Sequence, residues 1–392
     1  MTTRLHVRKS SLIYADHAAT SFPKPREVIR AMTEVMETKG GNPGRGTHSL
    51  SLAAAEEMYA CRETASAFFG LGHPERVVFT MNTTHALNLF MRGVLQKGDH
   101  VLCSDLEHNS VWRPLYALSE AGEITFDTFA SFAMTPVRNE EMILQDISRK
   151  LKPQTKLLVC THASNLCAVT MPIEAIGALC KERGILFCVD AAQSAGRLPI
   201  HMQKMHIDAL CVPGHKGLLG PLGTGLLLLS PDVNPTPLLW GGNGVASLSP
   251  QMAGDAPEMY EAGTQAAPAI AGLRAGMEYV RRVGMDSIRQ REETLGKRLK
   301  NALRELPFVT LYVPHHAGGT VLFSIRNTPS EAVGDLLNEK GICVRAGFHC
   351  SALGHKTLRT PTDGAVRVSF GYNNTEGECD RLISAVSAMG QA

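Results

Sequence analysis

The sequence has few of the features that mark exported, membrane-bound or nucleic-acid-binding proteins. Aromatic residues make up only 6% of its 392 residues, and the formal net charge is only +2. The basic residues near the N-terminus are followed by no apolar run, so no secretory signal is predicted. Apolar stretches such as residues 226–229 are too short to span a bilayer. We therefore expect a cytoplasmic protein that binds neither membranes nor nucleic acids.

The ten cysteines contain no CxxC pair, which argues against a zinc ribbon or a thioredoxin-like site, and we predict no metal site. In a cytosol they should be reduced thiols, most of them buried as small hydrophobic residues. The phosphate-binding motifs GxxxxGK[ST] and GxGxxG are also absent, although glycine is frequent. Hydrophobic residues make up 44% of the chain, enough for a large core in two domains.

Helical and strand patterns alternate between residues 24 and 230, which is typical of a mainly parallel α/β sheet. The predicted helices are 24–39, 52–69, 84–96, 139–151 and 172–183, and the predicted strands are 76–80, 100–104, 156–162, 185–190 and 207–212. After residue 263 the pattern changes to a helical region at 266–306, strands at 309–312, 319–324, 343–345 and 365–369, and helices at 330–340 and 376–388. We expect a large domain at 15–265 and a smaller α+β domain at 266–392, with residues 1–14 packing on the smaller one.

Ligands of open parallel sheets bind at the carboxyl ends of the strands, so the residues just after each strand are the candidates for a site. Met81-Asn82-Thr83-Thr84 follows the first of these strands and precedes a helix. Hydroxyl groups and free N–H groups at a helix N-terminus favour a phosphate, and the simpler alternative is a threonine that caps the helix.

Two charged residues stand after other buried strands. Asp190 follows an apolar run, where a carboxylate needs a partner such as a protonated pyridine nitrogen, a helix end or a metal ion. Lys216 lies in a glycine-rich segment, where loss of hydration lowers the pKa of a lysine and makes its amine a nucleophile for a Schiff base. The alternatives are a surface lysine or a phosphate-binding lysine. A phosphate anchor, a pyridinium partner and a Schiff-base lysine together indicate pyridoxal-phosphate (PLP) chemistry.

The smaller domain carries a candidate second nucleophile. Cys350 follows a strand and has His349 and Arg345 nearby, surroundings that lower a thiol pKa; the alternative is an inert cysteine. Arg367 interrupts an apolar strand, where it binds a substrate carboxylate or, alternatively, faces water at a sheet edge.

In this order, the residues resemble the group II cysteine desulfurases of the class V aminotransferase family over nearly the whole chain. The matching segments are YADHAAT at 14–20, NPGRGTH at 42–48, EHNS at 107–110, SN at 164–165, DAAQ at 190–193, GHK at 214–216, EAGT at 261–264 and RAGFHC at 345–350. Three positions depart from the family pattern. His17 replaces the usual Asn, Pro213 replaces a phosphate-binding Ser or Thr, and Ser351-Ala352-Leu353 replaces Ala-x-Pro after the cysteine.

The resemblance implies PLP fold type I, as in aspartate aminotransferase, with a seven-stranded, mainly parallel sheet, and it implies a homodimer with shared active sites. It also implies a role for each matching residue. PLP would be bound by Thr83, Thr84, His108, Asn165, Asp190, Ala192, Gln193, His215 and Lys216, and by Thr264 of the other subunit. L-Cysteine would be bound by Asn165 and Arg367, with Arg345 as a further candidate. Lys216, His108 and Cys350 would be catalytic.

The implied reaction converts L-cysteine to L-alanine and leaves a persulfide on Cys350 for an acceptor protein. The closest alternatives keep the same scaffold: a selenocysteine lyase that acts on L-selenocysteine, a transaminase or an epimerase. A nucleotide-binding or regulatory protein without PLP is the alternative from another class. Iron–sulfur cluster assembly is one of several destinations that the sequence leaves open for the sulfur.

Overall fold

The computed structural model describes residues 12–44, 46–135, 140–252, 254–314 and 318–391. Arg45, within the NPGRGTH segment, lies outside the described residues, and so does most of the predicted N-terminal packing segment 1–14.

The strands in the described part of the chain have the following bounds: β1 (Ile13–Tyr14), β2 (Val77–Thr80), β3 (His100–Ser104), β4 (Thr125–Phe129), β5 (Thr155–Thr161), β6 (Leu186–Asp190), β7 (Ala209–Pro213), β8 (Gly225–Leu229), β9 (Val309–Leu311), β10 (Thr320–Ile325), β11 (Ile342–Cys343), β12 (Arg345–Gly347) and β13 (Ala365–Ser369).

The α-helices of the same residues are α1 (Arg26–Thr38), α2 (Ser49–Phe68), α3 (Thr83–Val94), α4 (Asn109–Glu120), α5 (Glu140–Lys150), α6 (Ile173–Arg183), α7 (Ala267–Val283), α8 (Met285–Arg304), α9 (Ser330–Glu339), α10 (Ala352–Leu358) and α11 (Glu376–Ser387). Among the described residues, no helix combines the length and the apolar character needed to cross a bilayer.

The large sheet has seven strands in the order β2-β8-β7-β6-β5-β3-β4. Strand β8 runs antiparallel to both of its neighbours, and the remaining strands are parallel to one another. This confirms the expectation of a seven-stranded, mainly parallel sheet. The parallel strands end at one edge of the sheet, and the polar segments that follow them therefore meet there.

Both faces of this sheet are covered, because its strands are apolar at successive positions rather than at alternate ones. Within β5, Leu158 and Cys160 pack into the core that contains α2, α5 and α6, while Leu157 and Val159 face the core that contains α3 and α4. The period of two along a strand sends neighbouring side chains to opposite faces, so a continuous apolar run is buried on both sides.

A third core lies between α8, α9, α11 and a four-stranded antiparallel sheet with the order β12-β13-β10-β9. The first described strand, β1, pairs in parallel with β11, and Ile13 is fully buried in this core. The domain boundary at 265 stays a prediction. Just beyond it, α7 packs on the large-sheet side, with Ile270, Leu273 and Met277 in that core.

The structure corrects several predicted elements. The helical region 266–306 is two helices, because Gly284 between them adopts a φ of +91°. The strand predicted at 343–345 is also wrong as one element: Ile342–Cys343 pairs with β1, whereas Arg345–Gly347 pairs with β13. The prediction also omitted α4 and β4, and it recognised β8 only as an apolar stretch.

Two helical glycines differ in the space around them and provide a test of helix packing. A Cβ at Gly177, in α6, would overlap the carbonyl oxygen of Met205, whereas a Cβ at Gly377, in α11, would meet no atom within 4 Å. We expect Gly177→Ala to lower the free energy of unfolding by about 2 kcal/mol, because the overpacked helix has to move. The matched Gly377→Ala should change it by less than about 1 kcal/mol. Urea denaturation measures both, and equal effects would contradict the packing described for α6.

Candidate active site

A cavity of about 220 Å³ opens at the carboxyl ends of the parallel strands. It brings together nine of the residues predicted to bind PLP: Thr83, Thr84, His108, Asn165, Asp190, Ala192, Gln193, His215 and Lys216. Six other residues also line the cavity, none of which was predicted to bind PLP: Ala19, Asn82, Ser110, Thr161, Ala163 and Pro213. Among the residues that the structure describes, no group of three or more His, Cys, Asp and Glu side chains is arranged to hold a metal ion.

The N-terminus of α3 forms one end of the cavity. The side chain of Asn82 caps this helix by accepting a hydrogen bond from the N–H of His85 at 2.9 Å. The alternative of a threonine cap is therefore wrong, and neither Thr83 nor Thr84 caps the helix with its hydroxyl group. The buried Oγ1 of Thr83 has no hydrogen-bond partner among the described residues. An unpartnered hydroxyl beside the N–H groups of a first helical turn suits an anionic group.

His215 also lines the cavity, and residues of the N-terminal segment bind it. Its carbonyl oxygen accepts hydrogen bonds from Lys24 Nζ at 2.7 Å and from Ser21 Oγ at 3.0 Å, and its Nδ1 lies 3.0 Å from Thr20 Oγ1. Burial, together with the positive charges of Lys216 and Lys24, lowers the pKa of His215 to about 4. The imidazole is therefore uncharged at pH 7, and it can interact with a ligand through hydrogen bonds but not through a positive charge.

Asp190 and Lys216 occupy the ends of the neighbouring strands β6 and β7. The Asp190 carboxylate is 2% exposed, and its Oδ1 accepts a hydrogen bond from the N–H of Ala192 at 2.9 Å. Burial raises the pKa of Asp190, against the opposing effects of that N–H group and of Lys216. A buried carboxylate that faces a cavity and has a single hydrogen-bond donor from the backbone suits a cationic ring N–H.

Burial lowers the pKa of Lys216 to about 8, and the charges of Arg367, Arg197 and Arg345 act in the same direction. Asp190 opposes this shift but is outweighed. About a tenth of the Lys216 side chains are consequently neutral at pH 7, compared with a very small fraction of an ordinary lysine. This gives Lys216 the chemistry of a nucleophile and a base.

His108 caps the N-terminus of α4. Its Nδ1 accepts a hydrogen bond from the N–H of Ser110 at 3.1 Å, so in the neutral ring the proton is on Nε2. Burial is the main reason that its pKa falls to about 4, and Lys216, Arg345 and Arg367 add to the effect. The ring is therefore neutral and able to donate a hydrogen bond at physiological pH.

Glu107 is fully buried beneath this segment, and the sequence analysis gave it no role. It accepts hydrogen bonds from Ser104 Oγ and from the N–H of Thr161, which lines the cavity. Burial raises its pKa to about 8, so the carboxyl group is mostly protonated at pH 7. Glu107 thus holds the backbone of the cavity wall at Thr161. Its position directly before His108 in the sequence was the signal that could have identified it.

Arg367 lies in β13, which has a partner strand on both sides, and it is only 1% exposed. The alternative of an edge-strand arginine facing water is therefore wrong. Its Nη2 forms an ion pair with Asp16 Oδ1 at 2.8 Å, and its Nη1 donates to the carbonyl oxygen of Asn165 at 3.2 Å. The site thus includes Asp16, which the sequence analysis noted only as part of a motif.

The turn that carries Cys350 is hydrogen-bonded to the cavity wall. The N–H of Asn109 donates to the carbonyl oxygen of Cys350 at 2.8 Å, and Asn165 Nδ2 donates to that of His349 at 2.9 Å. His349 and Cys350 both have left-handed backbone conformations, with φ of +51° and +54°, which cost about 1 kcal/mol or more each. The thiol is exposed, and Arg345 Nη2 lies 3.6 Å from its Sγ.

Thr264 is not one of the residues that line this cavity. It is exposed and lines a second cavity of about 230 Å³, together with Thr80, Met81 and Tyr260. Within one chain the structure therefore does not bring Thr264 to Lys216. The neighbouring Glu261 is bound to Arg62 by two hydrogen bonds, at 2.8 and 2.7 Å, and so stabilises the segment.

Comparisons with known proteins give one family. The family model for class V aminotransferases matches residues 13–382. A probable cysteine desulfurase from Methanothermobacter thermautotrophicus is 33% identical, with 98% of each chain covered. A cysteine desulfurase from Klebsiella pneumoniae is 31% identical, with 98% of this chain and 94% of the relative covered.

Among solved structures, the apo structure of a cysteine desulfurase from Thermococcus onnurineus is 31% identical and covers 97% of this chain and 95% of its own. The two structures superpose with a TM-score of 0.87. This similarity confirms the predicted fold class, PLP fold type I. The match over 13–382, the extent of the similar sequences and the shared fold all agree, and the chain belongs to the class V aminotransferase family.

Proposed function

We propose that this protein is a PLP-dependent cysteine desulfurase, which converts L-cysteine to L-alanine and leaves the sulfur on Cys350. The observation that carries the proposal is the position of the Cys350 turn. The backbone of Cys350, whose thiol is exposed, accepts a hydrogen bond from Asn109, next to His108. The backbone of the preceding His349 accepts one from Asn165, which lines the cavity that contains Lys216 and Asp190. The similar proteins named cysteine desulfurase support this assignment.

The cavity residues fit PLP in both shape and charge. Thr83, with its unpartnered hydroxyl, would bind the phosphate with Thr84 and His215, and Asp190 would pair with the ring nitrogen. The ring would contact Ala192 and His108, and its phenolic oxygen would contact Asn165 and Gln193. Lys216 would hold the aldehyde carbon covalently. When bound, PLP withdraws electrons from the substrate Cα.

The chain's own residues would then move the protons and the sulfur. Lys216, with its lowered pKa, accepts the proton from the substrate Cα. The Cys350 thiolate attacks the substrate sulfur, so an S–S bond forms as the Cβ–S bond breaks. The electron pair of the broken bond stays on Cβ, which would take a proton supplied through His108 Nε2 or Lys216, and Lys216 would return the proton to Cα to complete alanine. Cys350 is left as a persulfide.

Arg367 would bind the substrate carboxylate, with help from Asn165. Its guanidinium group already pairs with Asp16, so the substrate would share Arg367 with that carboxylate. Arg345 contacts the Cys350 sulfur, and it would bind the substrate from the side of the cavity on which Cys350 lies.

We also propose a homodimer and a cytoplasmic location. Thr264 lines a different cavity from Lys216 in its own chain, which suits a role in the site of a partner subunit. All ten cysteines are free thiols, in keeping with a reducing compartment. The exposed Cys350 would deliver its sulfur to an acceptor protein.

The role of Cys350 is tested by its replacement with alanine. We expect Cys350→Ala to lower sulfide release from L-cysteine, measured with excess reductant, by at least about 100-fold, because the sulfur has lost its nucleophile. PLP content should not change. The matched control is Cys343→Ala, which removes the half-buried thiol seven positions upstream and should keep full activity.

Full sulfide release by the Cys350→Ala protein would contradict the proposal. If this variant lost cysteine activity but still cleaved L-selenocysteine, the carrier role would hold, because a selenol ionises more readily and needs the thiolate less. Cleavage of L-selenocysteine alone by the unmodified protein would favour a selenocysteine lyase.

The lowered pKa of Lys216 predicts how apoprotein takes up PLP. Only the neutral amine attacks the aldehyde, so the initial rate of uptake should rise about tenfold per pH unit below pH 8 and level off above it. Borohydride reduction followed by peptide mapping measures the PLP bound to lysine. The internal control is Lys300, whose pKa burial also lowers to about 8 but which lies in α8, away from the cavity. Label on Lys300 or a pH-independent rate would contradict the assignment.

A further inference from the structure

Ser351 directly follows Cys350 and is the N-cap residue of α10, but its side chain does not cap that helix. It is the residue before α10, where a serine hydroxyl normally accepts a hydrogen bond from the first turn of the helix. Ser351 makes no such bond. It is fully buried, and its Oγ instead donates to the carbonyl oxygen of Glu107 at 3.3 Å. This contact joins residues that are 244 positions apart in the sequence.

Three consecutive residues are thereby bound to the wall of the cavity. The carbonyl oxygen of His349 is bound by Asn165, that of Cys350 by the N–H of Asn109, and the hydroxyl of Ser351 binds Glu107. Two of the three have left-handed backbone conformations that non-glycine residues disfavour. The turn therefore depends on these external bonds for its shape.

The hydroxyl group of Ser351 lies in a space that is open only because residue 354 is a glycine. A Cβ at Gly354 would lie 2.8 Å from Ser351 Oγ and 2.8 Å from Leu166 Cδ1. A glycine at this position lets the first turn of α10 approach both groups. Any side chain there would push the hydroxyl away from Glu107.

We infer that Ser351 is a positioning residue for Cys350. It holds the Cys350 turn against the segment that carries Glu107 and His108, so that the cysteine takes up sulfur in place, without an excursion of the turn. A sulfur acceptor then has to reach the exposed Cys350 where it stands. The inference rests on the proposed role of Cys350 as the sulfur carrier.

The test compares two serine-to-alanine variants of the PLP-loaded protein. Ser330 is 2% exposed and its Oγ donates to the carbonyl oxygen of Asp363 at 2.6 Å, within the same smaller domain. Ser351→Ala and Ser330→Ala thus remove the same atoms and the same type of hydrogen bond, but only the first touches the Cys350 turn. Gly354→Ala adds a second perturbation of the contact that leaves Ser351 itself unchanged.

For Ser351→Ala we expect about five-fold faster amide hydrogen exchange at residues 348–351, the effect of losing one hydrogen bond, and about five-fold lower kcat for sulfide release. KM for L-cysteine and PLP content should stay the same, because the cavity itself is unchanged. Gly354→Ala should act in the same direction. Ser330→Ala should leave both exchange at 348–351 and kcat at wild-type values.

Wild-type exchange and kcat in Ser351→Ala would overturn the inference. An equal loss of kcat in Ser330→Ala would do the same, since it would show a general effect of destabilisation. Failure of the proposed function is a separate result: it appears as sulfide release that survives Cys350→Ala. Hydrogen exchange at 348–351 still reports on the Ser351 contact in that case.

Discussion

The site depends on the removal of ionisable groups from water at the end of a sheet that is covered on both faces. Asp190 ends one strand and Lys216 follows the end of its neighbour, in a sheet with an apolar core on each side, and burial shifts both toward their neutral forms. The same constraint keeps His108 uncharged and protonates Glu107. The two cores supply the free energy that offsets this desolvation.

The second part of the site is a junction between the large sheet and the core of the smaller sheet. Arg367 is centred in the smaller sheet and binds Asp16 and the backbone of Asn165, so one buried cation connects three parts of the chain. Next to it, the Cys350 turn is bonded to the residues around His108. The Cys350 turn and the cavity are therefore connected by contacts across the junction, and a change that moved one core relative to the other would disturb the turn before it disrupted either core.

Much of this was predictable from the sequence, for physical reasons. The buried strands are apolar runs, and the candidate site residues come soon after them. The apolar pattern therefore indicated the positions of the strands and of the candidate site residues. Strand β4 was missed because its residues are mostly polar and half-exposed, and α4 was missed between recognised motifs. The partners of Arg367 and Ser351 lie 351 and 244 positions away, and no local pattern reveals such a contact. The preference for Asn82 over Thr83 as a cap is likewise decided by the geometry of one turn.

Two helices point their N-termini toward the cavity, but they are not equivalent. At α4, the ring of His108 and the carbonyl oxygen of Cys350 already accept hydrogen bonds from the first N–H groups. At α3, Asn82 takes only the N–H of His85, and Thr83 keeps an unpartnered hydroxyl. An anionic group is therefore accommodated better at the N-terminus of α3 than at that of α4, where the first N–H groups already have acceptors. The cap residues of the two helices thus decide which N-terminus in the cavity keeps hydrogen-bond donors for an anion.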